Sequence, residues 1–249
     1  MTGPPDLNVV LLRSPEHLDA AAELLRSVWR ARTEAERLAV ISTTTLRSLS
    51  HSGNYVAGAF DGADMVGCAV GWAGLGPSGP PDHLYVDITG VTSTRQGQGV
   101  GTAIRRHQRR WALDRGLRRM RWTFDPLVAR NAYFNLCKIG ATATSFEADF
   151  YGRLDDGTNT GQTTDRLTVD WDLTATATGR YAPIGPGAEL IPIPADITAL
   201  QRSDPARARR ERLSVRDRFR SLLDRGYRIG GLSEHHDYVL HPPSWSRLR

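Results

Sequence analysis

Apolar positions along the chain alternate between two periods, and the alternation outlines its elements. Leu7 to Leu12 is a short apolar run that predicts a strand. Behind it, Ser14-Pro15-Glu16 has the form of a helix start: a capping serine, proline in the first turn and an early acid. Leu18, Ala21, Leu24, Leu25 and Val28 recur at helical spacing, so a helix with one buried face should run to about Arg30. A second helix is expected from Thr33 to Leu49. Asn54 to Phe60 and Met65 to Ala73 are rich in Val, Ala and aromatics, and Asp61-Gly62 between them is a hairpin signal. After a Gly/Pro-rich loop (Gly74 to Pro81) come a strand, His83 to Val91, a glycine-rich turn, and a helix, Val100 to Arg115, closed by Gly116.

Downstream, Arg119 to Phe124 predicts a strand and Ala129 to Ile139 a helix ending at Gly140, and the strand-like stretches Ala141 to Asp149 and Arg166 to Leu173 flank a polar loop. Thr174 to Pro194 holds four prolines and reads as a linker or wrapping segment. Ile197 to Arg225 returns to helical spacing, and Tyr227 to Leu232 with Asp237 to Leu240 form a last hairpin. The fold class is α/β (α+β). The division expected is a main domain over residues 1–173, a linker over 174–195 and an extension over 196–249 packed on the core.

The 249 residues, with 40% hydrophobic and 24% charged side chains, can bury one large core, or one core with a smaller unit attached. No apolar run approaches the roughly 20 residues needed to cross a bilayer, and Met1 to Leu11 lacks a basic segment followed by an apolar one, so a cytoplasmic location and no membrane partner are expected. The two cysteines, Cys68 and Cys137, show no disulfide or zinc spacing; Cys68 lies in an apolar run and is expected in the core. A formal charge of +5 suits an acidic partner, yet Lys138 is the only lysine, and arginine usage of this kind follows genomic base composition more often than function.

Chemistry concentrates between the strand ending at Val91 and the helix beginning at Val100. Glycines at 97, 99 and 101 let the backbone fold tightly with its amides exposed, and a helix N-terminus directly behind adds a dipole that favours phosphate. A three-glycine turn can also simply join a strand to a helix. A dinucleotide fingerprint is excluded by glycine spacing and by position after the fourth strand, and a Walker loop by the absence of a following lysine.

Gln96-Gly97-Gln98-Gly99-Val100-Gly101, with Val91 five residues ahead, resembles the [Gln/Arg]-x-x-Gly-x-[Gly/Ala] signature of the GNAT superfamily of acyl-CoA-dependent N-acyltransferases. Arg130 to Ala141, a helix ending in Lys138-Ile139-Gly140, resembles its second motif, and Trp122-Thr123-Phe124-Asp125-Pro126-Leu127 is similar to a phrase of a bacterial subfamily with a C-terminal extension. The resemblance covers about residues 7–173. It implies a GNAT fold, a mixed, mostly antiparallel central sheet flanked by helices, here with a C-terminal helical and hairpin extension. It also implies acetyl-CoA or another acyl-CoA as co-substrate, no metal, and a small-molecule amine as acceptor.

By the same resemblance, the backbone of Thr89, Gly90 and Val91 serves the pantetheine and acyl carbonyl, in a gap where the fourth and fifth strands splay. Gln96, Gly97, Gln98, Gly99, Val100, Gly101 and Thr102 hold the pyrophosphate. Helical spacing puts Asn131 and Asn135, four apart, on one face as candidates to reach the pantetheine amides, their other reading being solvated polar residues. Asp87, four residues before Val91, is the candidate base; period-two alternation puts it on one face with Thr89 and Val91. Its other reading is a solvated residue or an arginine's partner. The tyrosine that many members carry as general acid is here Leu136; Tyr133 and Tyr151 are the candidates to substitute for it, the other reading of each being ordinary packing. Arg105, Arg106 and Arg109 are candidates for the 3′-phosphate, and His51, His83 and His107 show no metal spacing.

The expected function is transfer of an acyl group, acetyl or a larger one such as succinyl, to the amine of a small metabolite. The alternative is a non-catalytic module that senses acyl-CoA. Arg202 to Arg220 packs eight arginines without aromatic interleaving, which suits a solvated helix face, so nucleic acid is not an expected partner. Homodimers are common among relatives, but no residue pattern here requires one.

Overall fold

The computed structural model describes residues 7–159, 161–175 and 179–245. Its first seven strands form a mostly antiparallel sheet in chain order, except that the seventh lies between the fifth and the sixth; with its flanking helices this is a mixed α/β fold. The chain divides into two compact units, one of residues 1–121 with 154–161 and the other of residues 122–153 with 162–249.

In the first unit, β1 (Leu7–Leu11), β2 (Tyr55–Asp61), β3 (Asp64–Leu75) and β4 (Pro81–Val91) pair antiparallel in sequence order. The β2–β3 turn falls at the predicted Asp61-Gly62, with Gly62 at φ 61°. Helix α1 (Pro15–Trp29) starts where its cap predicts, the Ser14 hydroxyl accepting from the His17 N–H at 3.3 Å. Its apolar stripe, Leu18, Ala21, Ala22 and Leu25, packs with Val56, Cys68, Val70 and Ile88 in one cluster. Each large side chain buried there contributes about 1.5–3 kcal/mol. The absence of a side chain at Gly90 lets α1 come close: a Cβ there would stand 2.9 Å from Leu25. Helix α4 (Val100–Leu113) seats on β3 in the same way, since a Cβ on Gly67 would meet Val100 at 2.9 Å.

The single helix expected from Thr33 to Leu49 is two, α2 (Glu34–Val40) and α3 (Thr43–His51). Ile41 between them is extended, and Ser42 caps α3 by accepting from the Thr45 N–H at 3.0 Å. Serine and threonine hydroxyls compete with the helical backbone, so the run Ser42-Thr43-Thr44-Thr45 favours a new start over continuation.

The second unit takes up the C-terminal half of β5 (Arg119–Phe124), then α5 (Ala129–Ala132), β6 (Thr142–Glu147), β7 (Arg166–Asp172), β8 (Glu189–Ile191), α6 (Ile197–Ser203), α7 (Pro205–Asp224), β9 (Arg228–Leu232) and β10 (Tyr238–His241). Strands β8, β10 and β9 make a second, three-stranded sheet, so the predicted linker carries a strand of its own. The helix expected from 197 to 225 breaks at Asp204, whose side chain caps α7 ahead of Pro205. Residues beyond 196 share this unit with the strands before 173. Phe146 stacks on Phe219 at 4.9 Å, the Tyr238 hydroxyl donates to the Pro126 carbonyl at 2.8 Å, and Arg216 donates through Nε to Asp165 at 2.9 Å. Contacts of this kind pack residues of the extension against strands and turns that precede residue 173.

The helix expected from Ala129 to Ile139 keeps those bounds but changes pitch. After the α-helical turn of α5, Tyr133–Ile139 is a π-helix, and the Gly140 N–H at its end reaches back to the Asn135 carbonyl.

Candidate functional site

Strand β4 carries the first part of the site. Leu84, Val86, Ile88 and Gly90 are buried, whereas Tyr85, Asp87, Thr89 and Val91 are not, which is the alternation a half-covered strand requires. The pairing with β3 shifts register at two points, Val70/Gly71 and Gly74/Leu75; at the first, Val70 lies opposite Ile88 and Gly71 opposite Val86, so Asp87 is the extra residue of a β-bulge. Its side chain is open to solvent, yet the protein around its carboxyl raises its pKa above the ordinary carboxylate value by desolvation. Two residues on, the Thr89 hydroxyl is buried and has no hydrogen-bond partner among the described residues.

The loop after Val91 is tied down at each turn. The Thr92 N–H donates to the Val66 carbonyl at 3.0 Å, Ser93–Arg95 forms a 3-10 turn, and Arg95 pairs with Asp61 at the end of β2. The Gln96 and Gln98 amides donate back to the Val91 and Thr94 carbonyls at 3.3 and 2.8 Å. Gly97 and Gly99 take left-handed φ of 79° and 91°, and a Cβ at either would meet nothing within 4 Å, so these glycines are set by backbone angle and face open space.

Gly99 stands at the N-cap of α4, where no side chain caps the helix. The N–H groups of Val100, Gly101 and Thr102 therefore lack the acceptor that a serine or aspartate would supply. The Thr92 and Thr102 hydroxyls are likewise buried without partners among the described residues. Sequence reasoning did not single out Thr92; an orphaned hydroxyl is visible only in three dimensions. Donors gathered at a helix N-terminus behind two left-handed glycines make an anion cradle. The fit to a pyrophosphate is chemical: unclaimed N–H and O–H donors at the positive end of a helix dipole.

Of the arginines behind the loop, Arg105 turns inward. It is buried, donates through Nη1 to Gln108 Oε1 at 2.8 Å, and its pKa is lowered to about 10 by desolvation, with Tyr55 acting in the opposite sense. Arg106 is exposed and Arg109 half-buried. His107 accepts or donates through Nδ1 to the Tyr55 hydroxyl at 2.9 Å, and burial, then Arg110, lower its pKa.

In the second unit, Asn131 is exposed and Asn135 buried, so the two do not present one open face. Asn135 Oδ1 accepts from the Trp122 indole N–H at 3.2 Å. Leu136 is buried. Tyr133 is exposed and stands against two rings from distant segments, Tyr181 at 6.1 Å and His236 at 5.5 Å. Neither was legible as a neighbour, because nothing in sequence links positions 133, 181 and 236. The Tyr151 hydroxyl lies 3.3 Å from Thr123 Oγ1, and its ring lies under Arg166. Cys68 is fully buried with its pKa pushed up to about 12 by desolvation, as a core thiol should be. Among the described residues no group of three or more His, Cys, Asp or Glu is placed to hold a metal ion, and no helix is long and apolar enough to cross a membrane.

A mostly antiparallel sheet whose bulged fourth strand feeds an uncapped helix through a glycine turn defines the acetyltransferase class of fold. Residues 18–136 match the family model described as the acetyltransferase (GNAT) family, and the chain belongs to the GNAT superfamily. Among curated proteins, none matches the sequence. Solved structures with the same fold include a Staphylococcus epidermidis protein described as a probable acetyltransferase, at 16% identity and TM-score 0.54, covering 68% of this chain and 99% of that one. The ribosomal-protein-S18-alanine N-acetyltransferase of Escherichia coli is similar at 16% identity and TM-score 0.52, over 70% and 99% of the two chains. A Salmonella typhimurium protein described as an acetyltransferase, solved with its cofactor acetyl-CoA, is similar at 14% identity and TM-score 0.52, over 69% and 97%.

Proposed function

We propose that the chain is an acyl-CoA-dependent N-acyltransferase that moves an acyl group, acetyl or a larger one such as succinyl, to the amine of a small metabolite. The observation that carries this reading is the uncapped N-terminus of α4, with the unpartnered Thr102 hydroxyl in its first turn. The N–H groups of Val100 to Thr102 would hold the pyrophosphate, and the family match and the solved likeness that carries acetyl-CoA support acyl-CoA as the ligand.

Acyl-CoA supplies an activated carbonyl. The amine nitrogen bonds to the carbonyl carbon, the C–S bond breaks, and the electron pair leaves on sulfur. An alkyl amine is mostly protonated at neutral pH, so a base must take its proton before or during attack. Asp87 is the group proposed to take that proton, being accessible, unpaired in the strand ladder, and shifted towards the operating range by desolvation. The backbone of Thr89 to Val91 would face the carbonyl oxygen. A leaving thiolate has a thiol pKa near that of free cysteine, about 8.5, so a general acid adds little.

Calorimetric titration with acetyl-CoA and succinyl-CoA, beside a Gly99→Asp variant, tests the reading. Micromolar binding by the parent and none by the variant supports it; no binding by the parent overturns it. A second reading, a non-catalytic acyl-CoA sensor, is favoured by the buried leucine at position 136, where the family carries a tyrosine. Binding without turnover on a mixed panel of amines would select it.

A further inference from the structure

The first unit holds a cavity of about 510 Å³ lined by Arg13, Leu18, Arg47, Ser48, Ser50 and His51. Two of the six are guanidiniums and none is acidic. Leu18 is buried and supplies an apolar floor. Arg13 is held in place by donating through Nη1 to the Ser50 carbonyl, which uses one of the five N–H groups of its guanidinium. The Ser50 hydroxyl is committed to the Leu12 carbonyl at 2.6 Å, whereas Ser48 and Arg47 project from the exposed face of α3. The residue after Arg13 is Ser14, the cap of the 15-residue helix α1, so the positive end of that helix dipole borders the cavity.

The acid that faces Arg47 is Glu16, in the first turn of α1. Its carboxyl is held below the usual value first by its own backbone N–H and by the Ser14 hydroxyl, with Arg47 among the smaller contributors. One exposed carboxylate therefore stands against two arginines, and the concavity keeps a net positive charge even with His51 neutral. A concave wall carrying one sign of charge concentrates the opposite ion. Guanidiniums flanked by a hydroxyl match the planar, multi-acceptor face of an oxyanion. The volume exceeds that of bare phosphate and lies in the range of small-molecule sites, roughly 300–1,000 Å³.

This cavity is separate from the glycine loop. It lies where β1 ends and β2 begins, whereas the loop is tied through Arg95 to Asp61 at the far end of β2. Seven extended residues put roughly 20 Å between the two ends of that strand. We propose that the Arg13/Arg47 cavity binds a small organic oxyanion, a phosphate monoester or a carboxylate, as a second site independent of the acyl-CoA loop.

Titration with inorganic phosphate, glycerol phosphate and succinate at constant ionic strength, followed by calorimetry and by the ring-proton resonances of His51, tests this. Saturable movement of the His51 signals, weakened about tenfold or more in Arg47→Gln and retained in Gly99→Asp, is expected. The tighter of the phosphate and carboxylate arms assigns the source of the oxyanion. His51 signals that stay still, an unchanged affinity in Arg47→Gln, or a response lost in Gly99→Asp would each overturn the proposal, the last by assigning the anion to the loop. Because Arg47 is exposed, its variant keeps the fold, and a thermal melt verifies that.

Discussion

A Cβ added to Gly71 would stand 2.5 Å from the carbonyl oxygen of Tyr85, so the bulge that frees Asp87 from the ladder depends on a residue of the neighbouring strand that has no side chain. Gly71→Ala must push β4 away or flatten the bulge. The expected cost is about 1–3 kcal/mol in urea denaturation, as for overpacking generally, together with a fall in kcat larger than any change in acetyl-CoA affinity. A variant that kept kcat while losing stability would show that the bulge does not position Asp87.

The carboxyl of Asp87 gives two separable expectations. As a base it works only when ionised, so kcat/KM should fall as pH drops through its pKa, which desolvation sets above the ordinary carboxylate value. Asp87→Asn should lower kcat by about 10²–10⁴ and flatten that limb, leaving acetyl-CoA binding in place. For stability the sign is opposite to that of a salt-bridged acid. A carboxyl raised in the folded state favours folding while protonated, and that contribution is lost as pH rises through its folded pKa. Removing the charge should then raise Tm at pH 7 and leave it unchanged in strong acid.

Leu136 is 5% exposed, so restoring the family's tyrosine there inserts a ring and a hydroxyl into filled space. Leu136→Tyr should destabilise the chain by about 1–3 kcal/mol without raising kcat. A rise in kcat would mean that a proton donor at this position is what the reaction lacks; turnover seen only in the variant, with none in the parent, would favour the sensor reading.

What could be read from the sequence follows the range of the forces involved. The start of α1 at Ser14-Pro15, the turn at Gly62 and the left-handed glycines at 97 and 99 are set by a few adjacent residues, and they fall where expected. The alternation of β4 was legible for the same reason, but its bulge was not, because the extra residue exists only relative to Gly71 on another strand. The π-helix over Tyr133–Ile139, the burial of Asn135 against Trp122 and the rings around Tyr133 all depend on partners remote in sequence. The break at Ser42 was a local signal that the expected long helix passed over.

In the second unit, Arg212 and Asp125 form an ion pair at 2.8 Å with side chains 7% and 14% exposed. Asp125 is well satisfied, its other oxygen accepting the Leu127 N–H at 2.9 Å, but Nε and Nη1 of Arg212 are buried without partners among the described residues. Desolvation of a half-satisfied guanidinium offsets much of what the pair gains, whereas removing one partner strands the other charge. Asp125→Ala should therefore cost about 3–5 kcal/mol, read by urea denaturation with near-ultraviolet circular dichroism. The double variant Asp125→Ala with Arg212→Met should recover most of that loss. Recovery would mean that the pair fixes how α7 meets the Phe124–Leu127 turn more than it stabilises the fold. A double variant that stays as unstable as Asp125→Ala alone would show that the ion pair is itself a net stabilising contact despite its unpartnered N–H groups, whereas additive losses would show that the two side chains act independently.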